Sequence, residues 1–136
     1  MSKIYSRKQI KKILEQEQSR TDRNGHEFSV LVFDSPDSKD HKSFFNDLAS
    51  VLLRRIRCCD YAGWIDYKIL CVVMPETSYE NAKYLAENFF NHFFQKRLTV
   101  SYNVYTYPLN WINIERKPSQ GIFDYKERKK NEQRFV

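Results

Sequence analysis

Glycine and cysteine are both rare in this chain, at three residues each among 136. Scarce glycine beside ten Phe and nine Tyr describes an aromatic protein with short loops. The cysteines, Cys58, Cys59 and Cys71, are odd in number and two of them are adjacent. Sequence neighbours rarely bridge one another, so no disulfide framework is expected. C-x-x-C is absent, and His26, His41 and His92 stand singly, which leaves no metal-ligand spacing. Free thiols in a reducing cytosol are the expectation. The opening, MSKIYSRKQIKK, has no apolar signal core, and no run approaches the ~18 apolar residues of a membrane span. A cytoplasmic protein without a membrane span is therefore expected, and no internal repeat is visible.

The residues that are present describe a packed globule. A length of 136 suits one core, and contents of 41% hydrophobic and 15% aromatic residues argue against a disordered chain. The formal charge of +6 favours anionic partners at long range. The 17 acidic residues are nevertheless interspersed with the 23 basic ones, so there is no polybasic tract, and a solvated surface with a basic excess accounts for the balance equally well.

Periodicity divides the chain into alternating elements. Ser6-x-x-Gln9 has the spacing of a capping box and opens a helix over 6–20, with Ile10, Ile13 and Leu14 as a narrow apolar stripe. After the break at Asn24-Gly25, FSVLVFD (28–34) has the continuous apolar pattern of a central strand buried on both faces. A polar turn precedes a helix over 43–57, capped by Ser43, with Phe45, Leu48, Leu52 and Ile56 on one stripe. Runs at 61–66 and 69–74 read as a hairpin around Asp66–Lys68, stopped by Pro75. Thr77-x-x-Glu80 is a second capping-box spacing, ahead of a helix reaching about Arg97. LTVSYNVYTYP (98–108) is the last strand, and after Trp111 the chain becomes polar and charged. The division is a domain over 1–110 and a charged C-terminal extension over 111–136 that frays or binds a partner. Helices interleaved with strands and one hairpin predict an α+β sandwich with helices on a mostly antiparallel sheet.

From Ile4 to about Pro108 the chain resembles the GGDEF domain of diguanylate cyclases in a degenerate form. The resemblance rests on RTDRNGHEFSVLVFD (20–34), RRIRCCD (54–60), ILCVVMPETSYENA (69–82) and TVSYNV (99–104), in family order. In that family these are the first strand ending in a metal-binding Asp, the Arg-x-x-Asp inhibitory site, the strand and helix start after the signature, and the last core strand. Five residues, Tyr61 to Ile65, separate Asp60 from DYKIL, the same gap that separates Arg-x-x-Asp from GGDEF. The resemblance implies a nucleotide-cyclase-like, ferredoxin-like sandwich. It also marks what is gone, because Asp66 and Tyr67 replace the two glycines, Lys68 and Ile69 the acids, and Leu70 the phenylalanine.

Joining two GTP molecules requires metal ions held by carboxylates. Asp34 matches the family's first metal-binding Asp, and its partner acid is replaced by Lys68 or Ile69. The side chain of Tyr67 fills space that a glycine would leave to the nucleotide. The expectation is a pseudoenzyme with no metal and no cofactor, in which Asp34 is the remnant of the metal site. Lys68 either brings its ammonium to Asp34 in place of the metal or points to solvent.

Arg57 and Asp60 match the family's cyclic di-GMP site in type and spacing, with Arg54 one helical turn earlier adding charge. An arginine fork suits phosphate or a guanine edge, and a carboxylate accepts from guanine nitrogens. The structural alternative is an arginine favoured by a helix C-terminus and an aspartate organising the loop beyond it. Two functions follow. One is a non-catalytic signalling or regulatory module acting through protein contacts, linked to polysaccharide synthesis by analogy with degenerate relatives. Tyr105, Tyr107, Trp111 and Phe123 would form part of its surface unless they are core. The other is a cyclic di-GMP receptor working through Arg57 and Asp60. RNA binding ranks below both, because the RNA-recognition signature is absent despite the tyrosines of SYNVYTY. No Ser/His/Asp or Cys/His arrangement suggests another enzyme, and Cys58–Cys59 beside Arg57 is the one slender hint of a reactive thiol.

Overall fold

The computed structural model describes residues 3–34, 41–66, 69–95, 101–109 and 111. In chain order the elements are β1 (Ile4–Tyr5), α1 (Arg7–Asn24), β2 (Phe28–Asp34), α2 (His41–Arg55), β3 (Tyr61–Asp66), β4 (Ile69–Met74), α3 (Tyr79–Gln95) and β5 (Ser101–Tyr107). The strands form one sheet in the order β1-β3-β4-β2-β5. All pairings are antiparallel except β1 with β3. The α+β sandwich predicted from periodicity is therefore the observed architecture.

The apolar run FSVLVFD does lie inside the sheet, between β4 and β5, with all but Asp34 buried. Alternate residues of such a strand face opposite sides, and both sides are covered. Leu31, Phe33, Leu70, Val72, Met74 and Val104 face a layer formed by α2 and α3, filled by Phe45, Leu48, Leu52, Ala82, Ala86, Phe89 and Phe93. Val30, Val32, Cys71 and Val73 face the other layer, which holds Ile10 of α1 with Phe28, Tyr105 and Trp111.

Helix α1 opens on the expected capping box. Ser6 Oγ accepts from the Gln9 N–H at 3.2 Å, and Gln9 Oε1 accepts from the Ser6 N–H at 2.9 Å. The helix outlasts its apolar stripe. It runs to Asn24 with Glu17 and Thr21 on the buried face, and Gly25 closes it at φ 78, a left-handed conformation that glycine adopts without a Cβ penalty.

The other two caps differ from expectation. Ser43 lies inside α2 rather than at its start, since the chain is already helical at His41. Before α3, the Thr77 hydroxyl donates to the Pro75 carbonyl at 2.9 Å, and Ser78 Oγ takes the capping role by accepting from the Asn81 N–H at 3.2 Å. Strand β1 is an addition to the predicted set. Its approach requires Gly63, where a Cβ would stand 2.5 Å from Ile10 Cγ1 and 2.7 Å from the Tyr5 carbonyl oxygen.

Two of the four aromatics read as a partner surface are core instead. Tyr105 and Trp111 are 2% exposed, and Tyr107 is half-buried. Trp111 packs edge-on to Phe28 and Tyr107, with ring centroids 5.0 and 5.7 Å away, so these side chains cover the α1-side layer. Phe123 and the rest of the extension from 112 lie outside the described residues.

Candidate ligand site at the turn before β3

Helix α2 ends at Arg55, and Arg57 to Asp60 form a turn closed by the Asp60 N–H donating to the Arg57 carbonyl at 3.0 Å. The turn folds the two motif residues onto each other. Asp60 Oδ2 accepts from the Arg57 backbone N–H at 2.9 Å and from Nε at 3.2 Å, while Oδ1 accepts from Nη2 at 3.0 Å. The Asp60 side chain is 3% exposed and that of Arg57 48%. Such a bidentate pair is geometrically specific, and the Asp60 carboxylate holds the Arg57 guanidinium further above its ordinary pKa.

A third partner was not legible from the motif. Arg57 Nη2 also donates to Thr77 Oγ1 at 2.8 Å, bridging to the turn between β4 and α3. The Thr77 carbonyl accepts from Ser29 Oγ at 2.8 Å, and Ser29 Oγ lies 2.8 Å from Thr106 Oγ1. A continuous polar chain thus ties the Arg57–Asp60 turn to β2 and β5. A threonine after a proline looks like a helix cap in sequence, and its partner stands twenty residues away.

Arg54 does not join this pair. With Val51, Arg55 and His92 it lines a separate open concavity of about 360 Å³ between α2 and α3. There Arg55 Nη2 donates to His92 Nδ1 at 3.0 Å. The structure therefore brings together Arg57 and Asp60 of the predicted set and leaves Arg54 on the adjoining surface.

Asp34 sits at the far end of the sheet. It pairs in register with Ile69, whereas Tyr61, just after Asp60, pairs with Val73. Four residues of extended β4 separate those positions, roughly 13 Å. Ile69 is 7% exposed and Leu70 is fully buried, so the second half of DYKIL is sheet core. Asp66 is engaged by Arg7 at 3.5 Å, which ties the hairpin to the start of α1. Tyr67 and Lys68 lie outside the described residues, and with them the expected approach of Lys68 to Asp34. Among the described residues, no three His, Cys, Asp or Glu side chains are grouped to hold a metal ion, and no helix is long and apolar enough to cross a membrane.

No family model matches the chain, and no curated protein matches it in sequence. Solved structures do match. A DGC protein from Thermotoga maritima superposes with a TM-score of 0.76 at 15% identity, covering 93% of this chain and 95% of that one. The diguanylate cyclase SiaD from Pseudomonas aeruginosa, solved with its activator SiaC, gives 0.72 at 15% identity. That match covers 96% of this chain but only 55% of the cyclase. The GGDEF domain of DgcB from Caulobacter crescentus, solved with c-di-GMP, gives 0.63 at 15% identity over 92% of this chain and 81% of that one. The chain has the GGDEF, nucleotide-cyclase-like fold.

Proposed function

We propose that this chain is a non-catalytic GGDEF-type module that acts by contact with a protein partner. The observation that carries the reading is the register of β2 on β4, in which Asp34 faces Ile69. Where the family resemblance puts a second metal-binding acid, at 68 or 69, this chain has Lys68 and the buried Ile69. Mg²⁺ binding through carboxylates and substrate phosphates has one candidate protein ligand left on these strands. The fold itself is intact, as a module that has exchanged chemistry for contacts requires. A cyclase among the structural neighbours is bound to an activator protein, which supports protein contact as a use of this fold. The signalling or polysaccharide-synthesis setting belongs to the same proposal.

The purified chain, given GTP with Mg²⁺ or Mn²⁺, is expected to form no cyclic di-GMP by liquid chromatography. Turnover that disappears in Asp34→Ala would overturn the non-catalytic reading.

The second reading, a cyclic di-GMP receptor, is favoured by the half-exposed guanidinium of Arg57 on a preformed turn and by a neighbour solved with that ligand. The internal pair opposes it, since a ligand must compete with Asp60 for Nε and Nη2. Calorimetry separates the readings. Heat at micromolar ligand that is lost in Arg57→Ala would install the receptor, and its absence leaves the protein-contact module.

A further inference from the structure

The turn that carries Arg57 and Asp60 also carries two thiols that neither functional reading uses. Cys58 and Cys59 are the central residues of that turn, both free and both exposed, and the backbone hydrogen bond from Asp60 to Arg57 closes the turn around them. Cys59 Sγ donates to Asp60 Oδ1 at 3.8 Å, the oxygen that also accepts from Arg57 Nη2. The third cysteine is the internal contrast. Cys71 is fully buried in β4, and burial pushes its thiol up to about 12. Two accessible thiols on consecutive residues, directly after Arg57 in the chain, are thus set apart from one inert sulfur in the core.

A direct disulfide suits this turn poorly, because it demands a sulfur–sulfur bond of ~2.0 Å and a dihedral near 90° between neighbouring residues. Bridging through a third atom relaxes both demands, since each sulfur need reach only that atom. Zinc would need further ligands. Asp60 is committed to Arg57, and no third metal-binding side chain joins the cysteines among the described residues. The complementary ligand is soft and satisfied by two sulfurs.

We propose that Cys58 and Cys59 are a chelating dithiol that captures a soft, thiophilic centre, either a trivalent organoarsenical or a monovalent copper ion. With an arsenical R–As=O, both S–H bonds break, two As–S bonds form and the oxygen leaves as water, with no change of oxidation state. With Cu⁺, the two thiols release two protons and give a bis-thiolate complex of charge −1. The guanidinium of Arg57 lies beside that charge and favours it.

The test uses the full reduced chain with one equivalent of phenylarsine oxide and, separately, with Cu⁺ supplied from a competing chelator. Capture is expected at one ligand per monomer, with the two exposed thiols lost to a thiol-counting reagent on the folded chain. Cys58→Ser and Cys59→Ser should each weaken binding by roughly a hundredfold or more, because the second sulfur then no longer binds intramolecularly. Cys71→Ala, with folding checked by circular dichroism, should bind like the parent. Capture of the arsenical alone, or of copper alone, supports the dithiol and identifies its ligand. The proposal is overturned if neither binds, if either single serine variant keeps the parent affinity, or if one ligand joins two chains by mass.

Discussion

Glu17 is a carboxylate on the inner face of α1, 4% exposed, with Arg20 at 3.6 Å as its ion-pair partner. Burial raises its pKa above the ordinary carboxylate value, Arg20 pulls the other way, and Glu76 adds to the rise. In the window between the ordinary and the raised value, the native state holds more protons than the unfolded one, so stability falls there as pH rises. The cost is absent below the ordinary carboxylate value and fully present only above the raised one. Glu17→Gln is therefore expected to be more stable than the parent at pH 7, with the gain shrinking towards pH 4 in urea titrations. A variant less stable at pH 7 would show that Arg20 outweighs burial. Asp60 presents the reverse case, a buried carboxylate satisfied by Arg57 through three hydrogen bonds. Asp60→Ala should cost about 1–3 kcal/mol of unfolding free energy, since it strips a charged partner and leaves the Arg57 backbone N–H without its acceptor. A cost near zero would mean that the turn holds without the pair.

At the start of α3, two neighbouring hydroxyls do different work. Ser78 caps the helix, and Thr77 joins Arg57 to the Pro75 carbonyl. Ser78→Ala should cost about 1 kcal/mol, as loss of an N-cap does. Thr77→Val keeps the shape and breaks the link to Arg57. It should leave the helix content of the circular dichroism spectrum unchanged while making the backbone amides of Arg57 and Asp60 exchange faster with solvent. If Thr77→Val lost helix content and Ser78→Ala did not, the caps would be the other way round. The capping box at 77–80 illustrates what sequence reading can and cannot reach. Spacing locates a helix start to within a residue, but which hydroxyl turns inward depends on Arg57, twenty residues earlier. Strands β2 and β4 were legible because a run buried on both faces needs only apolar residues, and FSVLVFD and ILCVVM contain little else. Strand β1 was not, since two residues carry no period, and its parallel pairing rests on the bare face of Gly63. The candidate site was half legible. Arg57 and Asp60 could be named from their spacing, but their closure on each other and the departure of Arg54 to the α2–α3 surface depend on how the turn leaves the helix.

The described residues form two apolar layers sharing one sheet, and the two tryptophans fall on opposite sides. Trp64 packs on Phe45 of α2, with ring centroids 5.1 Å apart, and belongs to the layer of α2 and α3. Trp111 lies in the layer of α1 against Phe28. The layers are coupled through covalent alternation, because Val30 and Val32 face one while Leu31 and Phe33 face the other on the same strand. A layer cannot lose its packing without exposing one face of β2 and β4, which are buried on both sides. One cooperative transition is therefore expected, as for most single domains of this size. Trp64→Phe and Trp111→Phe each leave one reporter, and both replacements keep an aromatic ring in place. Within each variant, the fluorescence of the remaining tryptophan and the far-ultraviolet circular dichroism should trace the same denaturant curve. The midpoints of the two variants will differ by whatever each substitution costs, so the comparison is between probes inside one protein. A Trp111 curve that precedes the circular dichroism of its own variant would mean that the α1 layer opens by itself. The Arg57–Asp60 turn would then be attached, through Ser29 and Thr106, to a sheet with one mobile face.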